Sequence, residues 1–265
     1  MDLQIKGKLA LVSGSTAGIG FAIASQLAAE GARVIVNGRS QQAVDAAVAR
    51  IQADQNQGGE ALGFAGDLGT AEAAEAVVAR FPGIEILVNN LGIFEPKAFE
   101  DIPDDDWRRF FDVNVLSGVR LARLCLPAMK RADWGRIIFI SSESAIQIPA
   151  EMIHYGMTKT AQLAVARGLA ESLAGTRITV NSVLPGPTRS RGVGEFVDAL
   201  AKSDGKSFDE FEREFFEKVR PTSLIKRFEA PEEIAAMVAY LASPLSSGTT
   251  GAALRVDGGC TKSAF

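Results

Sequence analysis

Short apolar runs of strand length alternate with stretches whose apolar residues recur at helical spacing, from one end of the chain to the other. The pattern predicts strands over Leu9 to Gly14, Arg33 to Gly38, Ala61 to Asp67, Glu85 to Asn90, Arg136 to Ser142, Arg177 to Gly186 and the closing AALRVDGG. Helices are predicted over Ile19 to Glu30, stopped by Gly31, over Gln41 to Gln55, over Thr70 to Arg80 with Thr70 as its cap, over Met152 to Ala174 and over Pro231 to Ala242. A long helix is predicted over Asp104 to Arg131, opened by three aspartates that suit a helix N-terminus and bent or shortened near its end by Pro127. Strands that are apolar throughout, each followed by a helix, predict an α/β fold: a doubly wound parallel sheet of about seven strands, Rossmann-type, with both faces covered. No long linker, low-complexity tract or repeat interrupts the alternation, so residues 1–265 read as a single domain. The least regular part, 189–228, is charged and helical over 193–220 and reads as an appended lid.

Composition adds exclusions. A net charge of −4 argues against nucleic acid or an anionic membrane surface as the main partner. Cys125 and Cys260 lie in no CxxC or Cys/His cluster, so the sequence offers no metal-ligand pattern, and an unpaired state in a reducing compartment is the default. Cys125, in LARLCLPAM, reads as a buried thiol and Cys260 as one that can be exposed. The start, MDLQIKGKLALVSG, lacks the shape of a signal peptide, and no run reaches the roughly 18 apolar residues of a membrane helix. Together these point to the cytoplasm.

The first strand runs into Gly14-Ser15-Thr16-Ala17-Gly18-Ile19-Gly20, a GxxxGxG turn. Glycines there let the backbone approach a pyrophosphate, and the helix that follows aims free N–H groups and its positive dipole end at that charge. A tight turn that binds nothing is the alternative. The second strand ends in Asn37-Gly38-Arg39-Ser40, with no carboxylate to accept from a ribose 2′-hydroxyl. Arg39 offers a planar fork suited to a 2′-phosphate and Ser40 a hydroxyl donor, which favours NADP(H) over NAD(H), with use of both cofactors left open. Asp67 is placed to accept from an adenine amino group, with Leu68 beside the ring, or else to serve the helix start. Asn89 and Asn90, followed by Leu91-Gly92 at the centre of the sheet, tie loops together, touch the cofactor, or both.

Ser142 ends the fifth strand, and Tyr155 and Lys159 share one face of the next helix. A free tyrosine titrates near ~10. An ammonium ~4.5 Å away, in an effective dielectric of ~20, contributes about 3.7 kcal/mol, enough to bring the phenol towards ~7, where it works as an acid/base. Alone, YxxxK is a weak signal. Its place after the fifth strand, downstream of the glycine turn, strengthens it.

Over essentially its full length the chain resembles the short-chain dehydrogenase/reductase family. Gly14, Gly18 and Gly20 match that family's coenzyme turn, and Asn89-Asn90-Leu91-Gly92 its NNAG, with Leu91 in place of alanine. Asn114, Ser142, Tyr155 and Lys159 match its active-site tetrad, and Pro185-Gly186-Pro187-Thr188 its loop at the nicotinamide carboxamide. The resemblance implies a hydride exchanged between nicotinamide and a carbonyl or alcohol carbon, with Ser142 and Tyr155 on the substrate oxygen. Tyr155 would be the acid/base, Lys159 would sit on the nicotinamide ribose, and Asn114 would hold a relay water. It also implies a small-molecule substrate and a homotetramer or homodimer. Ala17 stands where NADPH-preferring members often carry a basic residue.

A carbonyl reductase resembling 3-oxoacyl carrier-protein reductases is the leading expectation. A polyol, sugar or steroid dehydrogenase using NAD(P), or a non-catalytic dinucleotide sensor, are the alternatives. The expected pocket lining is Phe94, Ser144, Ile146, Gln147, Ile148 and Met152. His154, one position from Tyr155 and so about 100° around the helix, is expected to be structural or interfacial. Glu143, next to Ser142, is expected to be a loop-surface charge, with a place facing substrate as the alternative, Asp104 to Asp106 a solvated helix start, and the FDEFEREFF stretch an amphipathic helix lying over substrate or at an oligomer contact.

Overall fold

A computed structural model describes residues 2–54, 58–189 and 207–264. Seven strands form one sheet: β1 (Leu9–Val12), β2 (Arg33–Gly38), β3 (Glu60–Ala65), β4 (Ile86–Asn89), β5 (Gly135–Ile140), β6 (Ile178–Pro185) and β7 (Ala253–Val256). Their spatial order is β3-β2-β1-β4-β5-β6-β7, with every pairing parallel. The described helices are α1 (Gly18–Ala29), α2 (Gln41–Gln52), α3 (Ala71–Arg80), α4 (Asp104–Phe111), α5 (Ser117–Ala132), α6 (Ile153–Ser172), α7 (Phe208–Lys218) and α8 (Pro231–Ala242).

Alternate residues of each central strand feed two separate cores. Ala10, Val12, Val34, Val36, Ile86, Val88, Ile138 and Ile140 pack with α1, α2 and α8. Leu9, Leu11, Ile35, Leu87, Ile137 and Phe139 pack with α3, α5 and α6 on the other face. This two-sided burial is why the strands read as unbroken apolar runs. The chain winds outwards from β1 to β3, then crosses back to β4 on the other flank of β1. The C-terminal ends of β1 and β4 therefore open a crevice at the switch point, where such sheets bind ligands.

Several expectations are corrected. The stretch predicted as one helix from Asp104 is broken into α4 and α5 by a π-helical turn, Asp112–Leu116, whereas Pro127 sits inside α5 without ending it. Cys260 is fully buried, like Cys125. Asp104 and Asp105 are solvated, but Asp106 is only 15% exposed and holds Lys97 at 2.5 Å and Arg109 at 3.1 Å. Of the segment read as a lid, 190–206 lies outside the described residues. The rest carries α7, opened by a Ser207/Glu210 capping box, whose Phe208, Phe211, Phe215 and Phe216 pack on Phe228. Among the described residues, no helix is long and apolar enough to cross a membrane.

Candidate active site

The glycine turn is built from backbone conformations that side chains resist. Gly14 and Gly18 have φ of 61° and 57°, in the left-handed region. A Cβ on Gly20 would lie 2.4 Å from the Gly14 carbonyl oxygen and 2.5 Å from Asn90 Nδ2. Ser15, fully buried, donates from Oγ to the Val12 carbonyl and accepts from the Asn37 amide, joining β1 to β2. Asn37 Oδ1 accepts from the Gly14 amide, and Asn90 Nδ2 donates to the Ser13 and Gly14 carbonyls. Thr16 packs its methyl towards Gly38, and Ile19 packs against the α1-side core. Ala17, the residue that caps α1, supplies no side-chain acceptor, so the helix start presents donors suited to a phosphate. This frame fits a dinucleotide pyrophosphate.

At the β2 end, Arg39 is exposed with no acidic partner among the described residues, while the Ser40 hydroxyl accepts from the Ala43 amide as the cap of α2. Asp67 is exposed and its Oδ1 accepts from the Gly69 amide. Leu68 is a correction: at 1% exposure its side chain belongs to the α3/α5/α6-side core and cannot lie beside a ring. The asparagine pair divides. Asn90 makes the turn contacts, and Asn89 is buried near Gly118 with neither side-chain polar atom hydrogen-bonded.

The chemical residues converge at the C-terminal ends of β4 and β5. The π-turn places Asn114 beneath Gly92, where Asn114 Oδ1 accepts from the Ile93 amide at 2.7 Å and Nδ2 donates to the Ile93 carbonyl and to Thr158 Oγ1. A Cβ on Gly92 would lie 3.5 Å from both Asn114 Oδ1 and Lys159 Nζ. Helix α6 is fastened to β5 at two points. Lys159 Nζ donates to the Ile140 carbonyl, and Ser141 Oγ donates to the Lys159 carbonyl, each at 2.9 Å. Tyr155 lies beside Ser142, and its ring meets Phe94 edge-on at 6.3 Å. The β6 end completes the rim. The Gly186 amide donates to the Val256 carbonyl and to Glu229 Oε2, while Thr188 Oγ1 donates to the Gly186 carbonyl.

The electrostatics overturn the expected acidification of Tyr155. Burial, then the Glu143 carboxylate, push the phenol well above its ordinary value. Lys159 Nζ sits 5.5 Å from the tyrosine ring centre, and burial pulls the ammonium down to about 8. Tyr155 is therefore a protonated donor at neutral pH.

Glu143 is the second correction. It is 5% exposed, not a surface charge. Its Oε2 accepts from Ser142 Oγ at 2.5 Å and from the Ser144 amide at 2.8 Å, and its Oε1 accepts from Arg220 Nε at 3.2 Å. Ser144, expected to line the pocket, is buried with it, whereas Phe94, Ile146 and Ile148 are exposed around the mouth. His154 stays structural: fully buried, its ring lies 4.0 Å from Phe110 and 6.0 Å from Trp107.

Residues 14–261 match the family model described as Enoyl-(Acyl carrier protein) reductase. The chain belongs to the short-chain dehydrogenase/reductase family. Among relatives of this short-chain dehydrogenase/reductase, the Bacillus subtilis (strain 168) protein named Uncharacterized oxidoreductase YvaG is 50% identical, with 100% of both chains covered. The D-beta-hydroxybutyrate dehydrogenase of Cupriavidus necator is 35% identical over 97% of this chain and 98% of its own. The structure of L-sorbose reductase from Gluconobacter frateurii, complexed with NADPH and L-sorbose, superposes with a TM-score of 0.93 at 31% identity, covering 99% of this chain and 100% of that one. The chain is thus an oxidoreductase with a nicotinamide dinucleotide as cofactor.

Sequence reasoning missed Gln162, Arg220 and Glu229 in this short-chain dehydrogenase/reductase, and favoured the surface for Glu143. Gln162 carries a usable signal, because it falls three residues after Lys159 on one helix face. Arg220 carries none, being 77 residues from the carboxylate it holds.

Proposed function

We propose that this chain is an NADP(H)-dependent oxidoreductase acting on a carbonyl/secondary-alcohol carbon, with Tyr155 as general acid/base. The observation that carries the reading is the meeting of Asn114 and Lys159 at Gly92, next to the glycine turn, with Tyr155 one helical turn before Lys159 and beside Ser142. The bound nicotinamide supplies or takes the hydride. Ser142 and Tyr155 hold the substrate oxygen, and Tyr155 Oη delivers the proton to it in reduction. A phenol held protonated by its surroundings suits that direction. Lys159, charged below about 8, positions the ribose and faces the tyrosine ring.

The glycine-turn residues Gly14 to Gly20 hold the pyrophosphate, Arg39 and Ser40 the 2′-phosphate, Asp67 and the Leu68 backbone the adenine side, Asn89 and Gly92 the central crevice, and Pro185, Gly186 and Thr188 the carboxamide. NADPH in the sorbose reductase structure agrees with this choice of cofactor. Residues 189–228 act as the substrate lid, and the active form is a homotetramer or homodimer. The test is oxidation of NADPH and NADH across a carbonyl panel, with Tyr155→Phe alongside. Turnover that falls about 10²–10⁴-fold in the variant is expected. Cofactor binding without turnover on any carbonyl would instead make the chain a dinucleotide sensor.

A further inference from the structure

We propose that the end of the sheet opposite the glycine turn holds a second ligand site, for a small tetrahedral oxyanion of the phosphate or sulfate kind, built around the buried Arg136 guanidinium. The site does not depend on the oxidoreductase reading.

A cavity of about 350 Å³ lies where β5 and β6 begin, bounded by the end of α6 and the turn after α8. Arg136, the second residue of β5, lines it. Ser142 lies six residues further on, roughly 20 Å along an extended chain, so the cavity is separate from the catalytic crevice. Arg136 is only 2% exposed, and all its hydrogen bonds among the described residues go to backbone carbonyls. A guanidinium has five N–H donors. Nε donates to the Ser243 carbonyl at 3.2 Å, and Nη1 donates to the Gly135 and Arg177 carbonyls at 2.8 and 3.1 Å. Both N–H groups of Nη2 are left over. Burial, then the charge of Arg177, pull the guanidinium down to about 10, so it stays charged at neutral pH. A buried cation held by carbonyl dipoles alone lacks the counter-charge that burial calls for.

Two hydroxyls complete the donor set. Thr179 is the cross-strand partner of Arg136, so both side chains stand on one face of the sheet. It is buried, lines the same cavity, and its hydroxyl has no hydrogen bond among the described residues. Thr250 Oγ1 accepts from the Val180 amide at 3.1 Å and keeps its own proton for a ligand. This geometry selects the shape of the anion. A planar carboxylate pairs best with two nitrogens of one guanidinium, and here only Nη2 is free. Donors from β5, β6 and the loop before β7 reach different oxygens of a tetrahedral ion.

The charges around the cavity permit it. Arg136 and Arg177 line it, and Asp133 accepts from the Arg177 amide at 3.4 Å. Lys8 Nζ and Arg136 Cζ lie 4.2 and 4.6 Å from the Trp134 ring centre, and Glu85 holds Lys8 at 2.7 Å. Three cations against two carboxylates leave about +1. The carbonyl ends of α6 and α8 oppose an anion by about half a charge each, although Arg136 already occupies the Ser243 carbonyl. This balance sets a modest affinity, a Kd of about 1–10 mM.

The experiment titrates the full-length protein, carrying Trp107→Phe, with sodium phosphate, sulfate, acetate and chloride at one ionic strength. It reads the emission of Trp134, which lines the cavity and is then the only tryptophan. A phosphate settling at the glycine turn or at Arg39 is remote from that ring. A saturable change is expected with phosphate and sulfate, about 10-fold weaker with acetate and absent with chloride. Thr179→Val keeps the branched shape and removes the hydroxyl, and should weaken phosphate about 5-fold. Arg177→Gln, at an exposed side chain, should weaken it about 3-fold. Arg136→Gln should abolish the response. Because Arg136 also ties three carbonyls, that variant can fail to fold, and the other two carry the test without it. No saturable response to either tetrahedral ion, acetate equal to phosphate, or an affinity unmoved by both Thr179→Val and Arg177→Gln overturns the proposal and leaves the oxidoreductase reading in place.

Discussion

Gln162 Nε2 donates to the backbone carbonyl of Asn114 at 2.5 Å, tying the third turn of α6 to the π-turn between α4 and α5. A π-turn leaves main-chain groups out of the helical ladder, and such turns recur at functional sites. Here the freed carbonyl takes a side-chain donor, and the same turn aims the Asn114 amide at Ile93 and Thr158. The Asn114 carbonyl is thus engaged by a side chain of the protein itself.

Gln162→Leu strands that carbonyl in a buried setting. It should cost about 1–3 kcal/mol in urea unfolding, and kcat should fall more than KM changes, because the residue acts by positioning Asn114. Gln162→Glu separates donor loss from volume loss. Its protonated form can donate to Asn114, so its stability deficit should grow as pH rises through the carboxyl titration. A deficit that does not depend on pH would refute the donor role.

Lys159 carries a stability cost that function explains. Burial lowers its pKa from 10.5 to about 8. The folded value lies below the unfolded one, so its contribution to stability is fully present above pH 10.5 and is lost as pH falls through about 8. At neutral pH the protein holds a buried ammonium that, among the described residues, donates to the Ile140 carbonyl. Lys159→Met should therefore be more stable than wild type at pH 7 by about 1–3 kcal/mol while losing turnover, and the two should converge towards pH 10. Unfolding curves at pH 7 and pH 10 check both parts.

Glu229 runs the other way. Burial raises it from 4.5 to about 8, with Asp257, Glu233 and Glu143 adding to the effect and the Gly186 amide opposing it. Its backbone also pairs with the loop after β6: its amide donates to the Pro187 carbonyl, and its carbonyl accepts from the Arg189 amide. With the folded pKa above the unfolded one, the stabilisation is complete below pH 4.5 and is lost as pH rises through about 8. Glu229→Gln should match wild type near pH 4.5 and unfold at higher urea than wild type at pH 9. Equal pH slopes for the two proteins would contradict this account.

The elements that carry local backbone information were the legible ones. The strands announced themselves because both faces are buried, and Gly14, Gly18 and Gly20 because only glycine meets those dihedrals and that packing. The spacing of Tyr155 and Lys159 was equally visible, but its electrostatic meaning was not. Lys159 Nζ is held by the Ile140 carbonyl, a partner the spacing does not encode. Glu143 looked like a loop charge because its partner, Arg220, comes from another part of the chain. Leu68 looked like a ligand contact because its side chain's place in the core is set by helices remote in sequence.

The cofactor preference turns on Arg39. It stands at the first position after β2, exposed, with no acidic partner among the described residues, so its guanidinium is free to meet a phosphate in two parallel hydrogen bonds. Ser40 stands beside it as the cap of α2, and Ala17 adds no charge. If Arg39 supplies the main positive charge at that corner, Arg39→Asp both removes the fork and repels the 2′-phosphate. It should lower kcat/KM for NADPH by about 10²-fold or more and leave that for NADH within a few-fold, since a ribose 2′-hydroxyl can donate to the new carboxylate. Arg39→Lys should retain part of the NADPH activity as a point charge without the fork. Steady-state kinetics with both cofactors on all three proteins decide it. Parallel losses for NADPH and NADH would assign Arg39 to the loop rather than to the phosphate.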